Sequence, residues 1–151
     1  MATRGEYIYP YPRPMVTVDT VVLREMEGRL EVLLIRRGKP PFEGHLALPG
    51  GFVEMEEDLP EAAARELAEE TGIDDAPLEQ VGAFGRPDRD PRGRNISVAF
   101  AGVVIGTGGK PSGGDDAASA EWVPLEKVGE LAFDHEEILD SALHRLDIDQ
   151  D

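Results

Sequence analysis

Between residues 46 and 72 the chain passes from a predicted short strand, Leu46–Leu48, through a predicted turn, Pro49-Gly50-Gly51, into a strongly signalled helix. No other stretch constrains the fold as much. Asp58 is placed to cap the helix, and Glu61 three residues on completes a capping box. Pro60 sits in the first turn, where its missing N–H does no harm, and Gly72 follows the last turn. These signals predict a helix from Leu59 to Thr71. On it, Glu66, Glu69 and Glu70 fall at i, i+3 and i+4, which crowds three carboxylates onto one face. Each like-charge pair costs an isolated helix about 0.2 to 0.5 kcal/mol, so the cluster calls for a cation or solvent to compensate it. Oxygen-only ligands favour Mg2+ or Mn2+ over Zn2+, and Mg2+ commonly bridges to substrate phosphates. A solvated acidic face is the plain alternative. The Gly50-Gly51 pair tips the reading towards a site, because bare backbone lets a metal or a phosphate approach closely.

Flanking this passage are β-branched runs. MVTVDTVVLR at 15–24 and LEVLLIR at 30–36, separated by polar residues 25–29 with a glycine at 28, predict two strands and a hairpin-like turn. Residues 78–84 and 95–105 predict further strands around a turn-rich segment, 85–94, and 120–123 predict a last short strand. Residues 134–146 form an amphipathic pattern with Ile138, Leu139, Ala142, Leu143 and Leu146 on one helical face. The expectation is a mixed α/β domain over residues 15–151, preceded by an N-terminal arm, residues 1–14, whose Tyr7, Tyr9 and Tyr11 have no assigned contact. Trp122 and Phe84 read as core residues, given their strand context.

Charge and composition exclude several functions. Thirty-one acidic against fifteen basic residues give a net charge of -16, a field that repels nucleic acid and anionic lipid. With no cysteine there is neither a thiol nucleophile nor a thiolate metal site. The apolar runs fall short of the roughly 18 residues that span a bilayer, and the Tyr- and Pro-rich start does not read as a secretion signal. The expected location is therefore the cytoplasm. Against this acidity, Arg86, Arg89, Arg92 and Arg94 form a local basic segment able to receive a dianionic diphosphate, with Arg36 and Arg37 as further candidates. Ordinary surface ion pairs are the alternative for each of them.

Gly51, five residues, Glu57, seven residues, then Arg65-Glu66-Leu67-Ala68-Glu69-Glu70-Thr71-Gly72-Ile73 matches the Nudix box at every specified position, and the chain resembles Nudix hydrolases. The resemblance implies an α/β/α sandwich with a mixed central sheet and a Mg2+-dependent hydrolase of nucleoside diphosphates linked to another moiety. It implies metal ligands at Glu66, Glu69 and Glu70, joined by a backbone carbonyl at Gly50 or Gly51, and an Arg65–Glu57 pair bracing the loop. Residues 85–100, 113–117 and 131–139 resemble the ADP-ribose pyrophosphatase branch, which implies cleavage of ADP-ribose to AMP and ribose 5-phosphate by a homodimer. Asp115 and Asp116 lie in a glycine-rich loop where such enzymes place a mobile carboxylate that activates water, and Glu66 competes for the role of base. A turn that simply favours Asp and Gly is the other reading of that loop. Asp134 reads as a helix cap and His135 as a structural hydrogen-bonder. Rival functions are hydrolysis of oxidised nucleoside triphosphates, dinucleoside polyphosphates or NADH, and a non-catalytic module that senses ADP-ribose. The short stretch after Leu146 is expected to leave no room for an attached DNA-binding domain.

Overall fold

The computed structural model describes residues 7–114 and 117–148. In chain order the elements are β1 (Met15–Met26), β2 (Arg29–Arg37), β3 (Leu46–Ala47), β4 (Gly50–Phe52), α1 (Leu59–Thr71), β5 (Glu79–Phe84), β6 (Asn95–Val103), β7 (Ala117–Pro124) and α2 (His135–Arg145). β1 and β2 form an antiparallel hairpin closed by Glu27 and Gly28, both at positive φ (53° and 79°), the two-residue turn whose twist suits a hairpin. β1 runs parallel to β6, while the other pairings between these strands are antiparallel, so the sheet is mixed as expected.

The hairpin pairs only at its closed end, Leu23–Met26 with Arg29–Val32. Beyond it the two strands part, and residues 46–52 fill the split. β3 pairs with Ile35 and Arg36 of β2, then β4 pairs with Thr17, Val18 and Asp19 of β1. The sequence predicts a turn at Gly50-Gly51, and the structure corrects this: both glycines belong to β4. They lie in a strand because their bare Cα atoms let it press against β1 on one side and α1 on the other.

Alternation along the strands sends neighbouring residues to opposite faces. Val18 and Val22 of β1 and Leu33 of β2 pack with Ala62, Ala63 and Leu67 of α1. Val21, Leu23, Val32 and Leu34 pack with Ile138, Leu139, Ala142 and Leu143 of α2. The two helices therefore cover opposite faces of the sheet, and the architecture is the α/β/α sandwich. A fully buried Leu or Ile contributes about 1.5 to 3 kcal/mol, so these few rows fix where each helix sits.

α1 has the predicted bounds and the full capping box, and it ends on Gly72 at φ 78°. β7 is longer than the predicted 120–123 because β2 offers it an edge from Glu31 to Arg37. Phe84 packs on the α2 side, and Trp122 packs beside Val22 and Leu67 while its Nε1 donates to the Gly109 carbonyl at 3.1 Å. Tyr7, Tyr9 and Tyr11 are exposed, with the Arg13 guanidinium 3.8 Å from the centre of the Tyr9 ring. Among the described residues no helix is long and apolar enough to cross a membrane.

Candidate active site

α1 turns one face to β4. On that face Glu66 and Glu70 are buried, at 8% and 5% exposure, a costly place for carboxylates without polar partners. In the β1–β4 ladder the bonded pairs are 16 with 53 and 20 with 49, so the amide and carbonyl of Gly50 and of Phe52 turn away from β1. α1 meets those groups. The Gly50 N–H donates to Glu70 Oε1 at 2.7 Å, and the Phe52 carbonyl accepts from Arg65 Nη2 at 3.1 Å. Glu66 lies directly against Gly51, so close that a Cβ there would stand 2.5 Å from its Cδ and 2.6 Å from Oε1.

Arg65 organises the acids. It grips Glu57 through two bonds, Nε to Oε2 at 2.8 Å and Nη2 to Oε1 at 2.6 Å, and Glu57 Oε1 also accepts the Glu54 N–H at 2.9 Å. Its Nη1 donates to Glu66 Oε1 at 2.8 Å and to Glu69 Oε2 at 3.2 Å. The bond from Arg65 holds the Glu57 carboxyl below its usual range, and the Glu57 bond in turn raises the Arg65 pKa further. The like-charge crowding on the helix is thus already relieved in part by an arginine, a compensation the sequence reading assigned to a metal.

Among the described residues no three acidic or histidine side chains stand in metal-holding geometry, since Glu66 and Glu69 face Arg65 and Glu70 faces Gly50. The fit to a cation rests on the cradle and on donor chemistry. Gly51 leaves open the space that the Glu66 carboxylate occupies, and the donors brought together are all oxygens, the set that hard divalent ions prefer. Glu66, Glu69, Glu70 and the outward-turned Gly50 carbonyl are the residues that fit such an ion.

The arginines divide. Arg89 is not on the surface: its side chain is 3% exposed and clasps Asp134 through Nε at 2.9 Å and Nη2 at 2.7 Å. The guanidinium is thus engaged in a buried ion pair, and Arg89 and Asp134 both border the recess beside Arg86. The expected cap is corrected: Asp134 stands at the start of α2, but its carboxylate makes no capping bond. Arg92 binds Asp90, and its guanidinium lies 5.1 Å from the Phe52 ring centre and 5.2 Å from that of Phe133. Arg37 donates to the Pro41 carbonyl at 2.7 Å and lies 5.0 Å from Phe133. Arg86 is exposed and pairs with Glu137 at 2.8 Å, beside a recess of about 500 Å3 that Phe42, Pro91 and Phe133 also line. Arg36 and Arg94 lie apart, bonded to the carbonyls of Gly44 and Gly85 at 2.7 Å and 2.8 Å. Asp115 and Asp116 lie outside the described residues.

Three groups escaped the sequence reading. Phe52 and Phe133 flank Arg92. Asp19, 6% exposed in mid-strand, accepts the Ser97 hydroxyl and lies 3.4 Å from His135 Nε2. A lone carboxylate inside the β-branched run VTVDTVV was the signal for Asp19, since buried acids persist only where something pairs with them.

A mixed sheet lies between two helices, and carboxylates of one helix close on a glycine strand, the architecture of an α/β sandwich with an acidic site at one helix face. The NUDIX domain family matches residues 13–146, and the chain belongs to that family as a Nudix pyrophosphohydrolase. It is 45% identical over 129 residues to an ADP-ribose pyrophosphatase of Methanocaldococcus jannaschii, covering 85% of this chain and 73% of the relative. It is 41% identical to the ADPR-responsive transcriptional repressor NtrR of Acinetobacter baylyi, covering 90% of this chain but only 56% of the repressor. Its fold matches the NUDIX domain of Shewanella oneidensis NrtR complexed with ADP ribose, with a TM-score of 0.85 and 31% identity over 92% of this chain and 94% of that one.

Proposed function

We propose that this chain hydrolyses ADP-ribose to AMP and ribose 5-phosphate with Mg2+, or Mn2+ in its place. The observation that carries the reading is a complete box, folded onto Gly50 and Gly51, in a chain 45% identical to an ADP-ribose pyrophosphatase. Glu66, Glu69 and Glu70 would hold the ion together with the outward-turned Gly50 carbonyl. When bound, it supplies neutralising charge for the diphosphate and acidifies coordinated water.

The remaining work falls to the protein. Arg65 fixes the directions of Glu57, Glu66 and Glu69, and by bonding the Phe52 carbonyl it ties the end of β4 to α1. Glu70 is anchored on the Gly50 N–H, which fixes its carboxylate beside β4. Water adds to one phosphorus, the bond to the bridging oxygen breaks, and a carboxylate takes the water's proton. Asp115, Asp116 and Glu66 are the candidates for that base. Arg92 lies between the Phe52 and Phe133 rings, and Phe133 also lines the recess at Phe42 and Arg86, cationic and aromatic groups suited to the rest of the nucleotide. The same reading takes the working unit to be a cytoplasmic homodimer, which light scattering and cell fractionation measure.

The test is a panel of ADP-ribose, 8-oxo-dGTP, diadenosine tetraphosphate and NADH with Mg2+ or Mn2+. ADP-ribose is expected to give the highest kcat/KM, and an inert protein refutes the assignment. The likeness to the repressor favours a second reading, an ADP-ribose sensor. Tight ADP-ribose binding without turnover, together with a gel shift on promoter DNA, would establish that instead.

A further inference from the structure

The segment that fills the split in the sheet must change partners midway. Ala47 is the last residue paired with β2 and Gly50 the first paired with β1. Between them, Pro49 has no N–H, and its carbonyl accepts from the Thr20 N–H at 2.9 Å and the Thr20 hydroxyl at 3.2 Å. The Leu48 N–H belongs to neither ladder, and Leu48 is 2% exposed, so water cannot serve it. His135 does: its Nδ1 accepts the Leu48 N–H at 2.9 Å. The first residue of α2 therefore reaches across to the crossing point. Just before it, the Ala132 N–H donates to the Leu46 carbonyl at 2.9 Å, so the chain leading into α2 grips the segment twice.

His135 is itself fixed from behind. With Nδ1 accepting, the neutral ring carries its proton on Nε2, which lies 3.4 Å from Asp19 Oδ1. Asp19 also accepts the Ser97 hydroxyl, has Arg89 Nη2 at 4.0 Å, and presses against the bare Cα of Gly50. Two residues beyond Leu48 stands the Gly50 N–H that anchors Glu70.

We propose that His135 is a positioning residue: by accepting the Leu48 N–H it sets the crossing from β3 to β4, and thereby the place of Gly50 and of the Glu70 carboxylate bonded to it. The catalytic half of this inference rests on the proposed hydrolysis; the structural half does not. Two substitutions separate the ring's nitrogens. Asn puts an amide oxygen where Nδ1 stands and keeps the acceptor for Leu48. Gln reaches the Nε2 position, keeps a donor for Asp19 and loses the Leu48 acceptor, with His135→Ala standing in if the Gln variant does not fold.

The first readout is amide hydrogen exchange across residues 46–53 in metal-free protein, and the second is kcat and KM for ADP-ribose with Mg2+. His135→Gln is expected to expose the Leu48 and Gly50 amides to faster exchange and to lower kcat about 10-fold, with KM little changed. That is the low end of the range for losing a direct partner of a metal ligand, because His135 acts through Leu48 and Gly50. His135→Asn should keep both near wild type. Leu143→Ala, a core change on the same helix, should lower Tm and leave the protection of residues 46–53 and kcat alone. The proposal is overturned if the Gln variant exchanges and turns over like wild type, if Asn is damaged as much as Gln, or if KM alone rises. A wild-type protein inert on ADP-ribose would defeat the functional reading, and the exchange measurement would then decide the positioning role by itself.

Discussion

Two adjacent glycines should fail in different ways when each is replaced by alanine. At Gly51 a Cβ would stand 2.5 Å from Glu66 Cδ, and carbon atoms settle at about 3.5 Å, so the carboxylate must retreat by about 1 Å. It can, because the obstacle is the far end of a flexible side chain. The strain is then small, and the lost backbone freedom of the unfolded chain returns about 0.4 to 1 kcal/mol. Function is less forgiving, since displacing a reacting group by about 1 Å costs about 100-fold in rate. At Gly50 a Cβ would lie 3.0 Å from Asp19 Cα and nearer still to the Val18 carbonyl oxygen and Asp19 Oδ1. Those obstacles belong largely to the β1 backbone, which is locked to β6 over its length and cannot yield. Overpacking of this kind costs about 1 to 3 kcal/mol, and a domain of this size loses about 2 to 4 °C of Tm per kcal/mol. Calorimetry beside an ADP-ribose assay separates the two. Gly51→Ala should melt within about 2 °C of wild type with kcat/KM down about 100-fold, while Gly50→Ala should melt lower by about 2 to 12 °C. A fully active Gly51→Ala enzyme would refute the reasoning, because it would mean that the position of Glu66 does not matter.

Arg89→Ala leaves Asp134, 5% exposed, as a buried charge without its cation, and should cost about 3 to 5 kcal/mol. Denaturant unfolding should record that loss, and whatever protein stays folded in the cold should keep its KM; a raised KM at undiminished stability would make Arg89 a substrate ligand after all. Burial raises the Asp90 pKa, but bonds from Arg92 and Asn95 outweigh it and lower the group from 3.8 to about 2. A carboxyl depressed in the folded state stabilises above its unfolded pKa and loses that contribution as pH falls from about 4 to about 2, a difference of about 1 to 2 kcal/mol. Urea unfolding at pH 5 and pH 2 should show Asp90→Asn losing less stability than wild type over this interval, and equal losses would contradict it.

Much of the fold was legible because its signals are local. The capping box, Pro60 and Gly72 set both ends of α1, and β-branched runs located β1, β2 and β6. The box showed which carboxylates gather, because residues i, i+3 and i+4 must share a helical face. What stayed hidden depends on residues far apart in sequence. Gly50 and Gly51 read as a turn because only the parting of β1 from β2 makes room for a strand there. Arg89 read as a surface cation because its partner Asp134 is 45 residues away. Phe52 and Phe133 drew no notice since nothing in either segment foretells that Arg92 will lie between them. His135 was read as structural from its place at the start of α2, yet its partner, the amide of Leu48, emerges only once the crossing from β3 to β4 exists.

The proposed chemistry requires that Glu66, Glu69 and Glu70 hold a divalent cation. Titration of nucleotide-free protein with Mn2+, followed by electron paramagnetic resonance, measures this directly. Wild type should remove free Mn2+ from solution in a saturable way, and Glu66→Gln combined with Glu70→Gln should abolish that uptake while the fold survives. Equal uptake by the double variant, or none by the wild type, would contradict it.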